Sequence, residues 1–149
     1  MIVLASDHAG IALKAEVAQL LDHRGDDYRD LGPADATSVD YPDFAHALAA
    51  EILAGRAERG VLICGTGIGM SMTANRHAGI RAALCHDGYT AEMARRHNDA
   101  NVLCLGGRVV GGGVAAQIVE IFLDTSFEGG RHQRRVGKIE IGRGRHQEE

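Results

Sequence analysis

The chain has 149 residues, of which 45% are hydrophobic and 24% charged, with a formal net charge of −4; this is the composition of one globular domain and excludes disorder as its main state. Folding at this length buries roughly 68–70% of the surface the unfolded chain exposes, so a core needs no metal or disulfide staple. A pI near 6.0 excludes a general binder of nucleic-acid backbones, which draws its affinity from many Lys and Arg contacts, and no membrane role is implied.

The opening MIVLASDHAG is a short apolar run without a basic flank, broken at Asp7 and His8. It reads as a strand over Ile2–Ser6 rather than as a signal peptide or a spanning helix, and no leader is expected. Ile11, Leu13, Val17, Leu20 and Leu21 follow at helical spacing, and Asp27–Leu31 is a weaker strand candidate. Phe44, Leu48, Ile52 and Leu53 mark a second helix, and Gly60–Cys64 a strand. Helical patterns over Gly69–His77, Tyr89–Arg96 and Val114–Leu123 alternate with apolar runs at Ile80–Cys85 and Val102–Leu105. Strand alternating with helix predicts a single three-layer α/β domain, Rossmann-like, with a parallel sheet covered by helices on both faces. From Arg131 to Arg145 the chain turns basic, with six of its sixteen Lys and Arg residues there and Glu140 the one acid among them. This C-terminal arm and tail, 131–149, is either solvated or reaches an anion.

In such a sheet, ligands bind beyond the carboxyl ends of the strands. Those ends carry Asp7-His8, then Cys64-Gly-Thr-Gly-Ile-Gly, then Gly106-Gly107-Arg108. Gly65, Gly67 and Gly69 let the backbone approach a ligand closely, and the helix that follows offers unpaired N–H groups, so the loop is a cradle for an oxyanion or a phosphate. It is neither of the two best-known nucleotide loops. A P-loop would end in Gly-Lys-Ser/Thr, where this chain has Gly69-Met70-Ser71, and a dinucleotide loop would need a glycine at Met70.

Three cysteines, with no CxxC pair, do not make a disulfide framework and fit a reducing cytoplasm. Cys85 and Cys104 lie in or at the end of apolar runs and read as structural. Cys64 opens the glycine loop and faces a helix N-terminus, which lowers a thiol's pKa and suits a nucleophile or a base. His8 and His97 stand at element boundaries beside Asp7 and Asn98 and are acid–base candidates. No HxxxH or HExxH spacing occurs, so no metal site is expected.

Taken together, SDHAG, DYPDFA, LICGTGIGMSMTANRHAGIRAAL, RRHNDANVLCLGGRVVG and FEGGRHQRRV resemble type B ribose-5-phosphate isomerase and its relatives, among them the galactose-6-phosphate isomerase subunits. The resemblance runs from Ile2 to about Val136 and implies a five-stranded parallel sheet and a homodimer with sites at its interface. It implies that Cys64 is the base moving a proton between C2 and C1, that Asp7 and His97 assist ring opening with His97 as proton donor, and that Thr66 shifts a proton between the sugar oxygens. Gly65, Gly67, Ile68 and Gly69 would offer N–H groups to an enediolate. His8, Arg131 and Arg135 would hold the phosphate, with Tyr41, Asn98 and Arg108 completing the pocket. No cofactor and no metal is implied.

Members that lack the loop cysteine use a glutamate farther along, near Asn75; Ala74-Asn75-Arg76 contains no acid, so this chain fits the cysteine branch. The pattern is equally compatible with allose 6-phosphate, galactose 6-phosphate or a tetrulose phosphate as substrate, and with pairing of dimers into tetramers. A phosphosugar-binding protein without turnover is the alternative outside enzymes.

Overall fold

The computed structural model describes residues 1–141. Five strands, β1 (Ile2–Ser6), β2 (Tyr28–Asp30), β3 (Arg59–Cys64), β4 (Ala82–Leu84) and β5 (Val102–Gly106), form one all-parallel sheet in the order β2-β1-β3-β5-β4. Around it lie α1 (Ile11–Arg24), α2 (Tyr41–Leu53), α3 (Ile68–Ala74), α4 (Gly88–Arg96), α5 (Gly112–Asp124) and α6 (Arg131–Gly137), with a short 3-10 turn at His8–Gly10 before α1.

Side chains of a strand alternate between faces, and here the alternation separates two cores. Leu4, Val61, Ile63, Leu103 and Leu105 pack with Leu13, Val17 and Leu21 of α1, Ala94 of α4, and Ile118 and Phe122 of α5. Val3, Ala5, Leu62, Cys64 and Cys104 pack on the other face with Leu48 and Ala49 of α2 and Met70 and Ala74 of α3. This is the three-layer parallel architecture expected from the alternating pattern.

Chain order reverses between β1 and β3: β2 lies on one side of β1, and β3 lies on the other. The segment leaving β1 therefore feeds α1 on one face, and the segment leaving β3 feeds α3 on the opposite face. Two neighbouring loops that diverge in this way open a crevice, the place where open α/β sheets bind ligands.

Two elements differ from expectation. The fourth strand is confined to Ala82–Leu84 within the apolar run: Ile80 N–H is drawn into a turn on His77 C=O and Arg81 N–H to Asn101 Oδ1 before the strand starts, and along its outer edge the Asn75 amide accepts from Ala82 N–H at 2.8 Å and donates to Ala82 C=O at 2.9 Å. One side chain thus satisfies both backbone groups of an edge strand and blunts that edge against further pairing. The basic arm begins as helix α6, which docks by burying His132 and Val136 while Arg131, Arg134 and Arg135 stay exposed. The tail beyond position 141, with Arg143, Arg145 and His146, lies outside the described residues.

Candidate active site

The crevice between β1 and β3 is lined by three loops pressed backbone to backbone. Asp7 N–H donates to Ile63 C=O at 3.0 Å, Gly107 N–H to Cys64 C=O at 2.8 Å, and Arg108 N–H to Gly65 C=O at 3.0 Å. The approach is so close that a Cβ on Gly106 would stand 2.7 Å from the carbonyl oxygen of Thr66, so only glycine fits there. Gly67 is required for conformation as well, with φ of +79°.

Within this frame Asp7 is buried, and its Oδ1 accepts from the N–H groups of Ala9 and Gly10 at 2.9 and 3.1 Å, capping the turn that leads into α1. His8 follows, with Nδ1 accepting from Val39 N–H at 3.2 Å. Cys64 ends β3 at 5% exposure, and its Sγ accepts from Gly67 N–H at 3.1 Å. Thr66 Oγ1 accepts from Ile68 N–H at 3.3 Å. The Tyr41 ring packs on Gly69, where a Cβ would lie 2.6 Å from it, and the Arg108 guanidinium lies over Gly65. Asp7, His8, Tyr41, Cys64, Gly65, Thr66, Gly67, Ile68, Gly69 and Arg108 are thus brought together at the carboxyl end of the sheet.

The other expected residues are at the opposite end. A helix that follows a parallel strand runs back along it, so His97, the C-cap of α4, lies where the strands begin. Asn101 fixes that placement, its C=O accepting from Gly60 N–H and its N–H donating to Arg81 C=O. Gly60 and Cys64 are four residues apart on β3, about 13 Å, so the length of the strand separates this end from Cys64 within one chain. Asn98 lines an open groove of about 540 Å³ with His77, Arg81 and Ile139. The segment before α6 is tied to the same end, Glu128 N–H donating to Arg96 C=O at 3.0 Å, so Arg131 and Arg135 lie there too.

Asp99 shapes the turn that presents His97 and Asn98. Its φ is +45°, a region short polar residues visit more readily than others. Arg81 holds it through Nε to the C=O at 2.9 Å and Nη2 to Oδ2 at 3.1 Å, and Arg95 through Nη1 to Oδ1 at 3.0 Å. His97 stacks on His132, with ring centroids 4.3 Å apart and planes within 8°. Burial, together with the positive neighbourhood of His97 and Arg131, holds His132 below the ordinary histidine range. The ligand atoms of His97, Glu128 and His132 lie within 4.8 Å of one another. Near-parallel rings direct their lone pairs into separate planes, however, and Arg96 already engages Glu128 at 3.1 Å. As arranged, the three do not converge on one cation.

Sequence reasoning did not single out His132, Asp99 with its two arginines, or the buried Lys14. His132 had a signal: with Val136 it is spaced i, i+4, the inward face of a short helix whose other face carries Arg131, Arg134 and Arg135. Of the two cysteines read as structural, burial pushes Cys85 up to about 11 and Cys104 higher still, so both stay protonated thiols.

Residues 2–139 match the family model described as Ribose/Galactose Isomerase. The chain is 45% identical over 138 residues to the ribose-5-phosphate isomerase B of Escherichia coli, covering 93% of each. It superposes with a TM-score of 0.91 on the Clostridium thermocellum ribose-5-phosphate isomerase B, at 51% identity and 93% of each chain. On the enzyme of that name from Thermotoga maritima the TM-score is 0.92, at 50% identity, with 93% of this chain and 96% of the other covered. Among the described residues no helix is long and apolar enough to cross a membrane. With this sheet, this crevice and this extent of match, the chain belongs to the ribose/galactose isomerase family and is a sugar-phosphate isomerase of the aldose–ketose kind.

Proposed function

We propose that the protein interconverts ribose 5-phosphate and ribulose 5-phosphate through a cis-enediolate, with Cys64 as the base on carbon, at sites that two copies of the chain complete together. The observation that carries this reading is Cys64 at the switch-point crevice, its sulfur accepting the Gly67 N–H and Thr66 beside it.

The chemistry needs one base on carbon, a route for the hydroxyl proton, and donors where oxygen turns negative. The Cys64 thiolate takes the C2 proton of the open-chain aldose, the C–H electrons form the C1–C2 double bond, and the aldehyde oxygen becomes anionic. Returning the proton to C1 while the C2 hydroxyl loses its own gives the ketose. Thr66 is suited to pass the hydroxyl proton between the two oxygens. Gly65, Gly67, Ile68 and Gly69 offer the oxyanion donors. Two of these N–H groups have partners inside the loop, at Cys64 Sγ and Thr66 Oγ1, and the 3.3 Å contact at Thr66 is long enough to exchange readily for a substrate oxygen. No step calls for a metal or an organic cofactor.

Ring opening falls to Asp7 and His97, with His97 as proton donor, and the phosphate to His8, Arg131 and Arg135. Tyr41, Asn98 and Arg108 complete the pocket. Since these residues lie at opposite ends of one sheet, the reading requires a two-fold pairing that sets the amino end of one copy against the crevice of the other. Arginine suits the phosphate because its planar fork binds two oxygens at once.

Ketose formation from ribose 5-phosphate in chelator-treated buffer, with allose 6-phosphate, galactose 6-phosphate and a tetrulose phosphate in parallel, tests the substrate. Turnover of the pentose above the others is expected. Preference for another phosphate would replace the named substrate and leave the mechanism, whereas silence on all four would favour a binding protein without turnover.

A further inference from the structure

An ammonium group is almost never buried unless it is paired, since its desolvation costs several kcal/mol. Lys14, on α1, is 5% exposed, and its Nζ donates to Asp30 Oδ1 at 2.8 Å and to Pro33 C=O at 2.7 Å. Asp30 Oδ1 also accepts from Gly32 N–H at 2.8 Å. The same stretch is fastened to β1, Leu31 N–H donating to Leu4 C=O at 2.8 Å and Ser6 N–H to Gly32 C=O at 3.1 Å. Residues 30–33 are thereby clipped to α1 and to the end of β1, immediately before Asp7 and His8.

From that clip the chain passes through the exposed residues 34–38 and returns to the crevice, where Val39 N–H donates to His8 Nδ1 just before α2 begins at Tyr41. A backbone N–H can only donate, so Nδ1 carries the lone pair and the neutral ring carries its proton on Nε2. That tautomer presents His8 as a donor through Nε2, which an anionic oxygen requires.

We propose that Lys14 is a positioning residue for the reaction: by clipping residues 30–33 it holds the Val39 N–H against His8 and so fixes the His8 tautomer that donates to the substrate's anionic group. The inference rests on the reading of His8 as a contact to that group. Lys14 touches neither the substrate nor His8 and acts through the returning segment.

The test is Lys14→Met, which keeps the length of the side chain and removes its donors. Imidazole 15N spectra, with His8 assigned by comparison with His8→Asn, report the tautomer directly, a readout that general destabilisation of a folded protein would not move. The expected result is a single Nε2–H tautomer in the parent and a mixture in Lys14→Met. KM for ribose 5-phosphate should rise in proportion to the fraction of the Nε2–H form that is lost, about twofold for an even mixture, with kcat little changed. If Lys14→Met does not fold, Asp30→Ala serves, since that side chain is 41% exposed and leaves no cavity; the same two changes are expected of it. A folded variant with an unchanged His8 tautomer and unchanged KM overturns the inference. If instead the tautomer shifts but His8→Asn leaves KM unaltered, the positioning stands and the reading of His8 as an anion contact falls.

Discussion

Gly67→Ala perturbs the loop at the point where backbone conformation, packing and chemistry meet. At φ +79° an alanine costs about 1–2 kcal/mol in conformation alone. The added Cβ would also stand 2.6 Å from Leu84 Cδ1, 2.9 Å from the Leu105 carbonyl carbon and 3.0 Å from its oxygen. The leucine methyl can turn away, but the backbone of β5 is held on both sides by its neighbours β3 and β4, so relief has to come from the loop. Overpacking of this kind costs about 1–3 kcal/mol, giving a total of about 2–5 kcal/mol. Gly55 is the internal control: its φ is +72° with nothing within 4 Å of a built Cβ, so Gly55→Ala pays only the conformational cost. Urea unfolding at matched protein concentration measures both. The predicted order is Gly67→Ala well below Gly55→Ala, and Gly67→Ala should also lose turnover, because moving the loop withdraws an N–H from Cys64 Sγ. Equal destabilisation of the two variants would refute the argument that β5 packs the loop into place.

Other outcomes follow from the same geometry. Iodoacetamide at pH 8 should label Cys64 in the native protein well before Cys85 or Cys104, because burial keeps the latter two protonated; equal labelling of all three would contradict it. Cys85 is raised when folded, so its contribution to stability is complete below the unfolded pKa near 8.5–9 and is lost as pH rises towards about 11. Melts across that window should lose on the order of 2 kcal/mol in the parent and less in Cys85→Ser, and parallel curves would count against it. Arg135→Ala should raise KM at least tenfold with kcat little changed, as expected when one charge-assisted phosphate contact is removed. An effect confined to thermal stability would refute a role in binding.

Much of the fold was legible because short, nearly continuous apolar runs alternate along the chain with segments of apolar spacing three and four, and that contrast predicts a parallel sheet with both faces covered. The crevice was legible as well: Asp7-His8 and the glycine loop stand directly after apolar runs, where a parallel sheet exposes its loop residues. Separation of the candidates into two clusters was legible at His97, which follows a helix-spaced segment between two strands of a parallel sheet, but not at Arg135, where nothing local says which end of the sheet it joins. The shortened β4 depended on the turn of Ile80 onto His77 and on an amide from Asn101, twenty residues away from its partner Arg81. Lys14 lay hidden in a stretch of good helical periodicity because its counter-charge, Asp30, comes from a separate strand.

The central claim, an isomerase whose carbon base and ring-opening acid come from different copies, is tested most directly by mixing two inactive variants. Cys64→Ala and His97→Asn, unfolded together and refolded in equal amounts, form mixed dimers in half of the population, and each mixed dimer holds one site with both residues intact. Recovery of about a quarter of the parent activity is predicted. No recovery, with both variants folded and the mixed dimer demonstrated by mass, would contradict a site built across two chains.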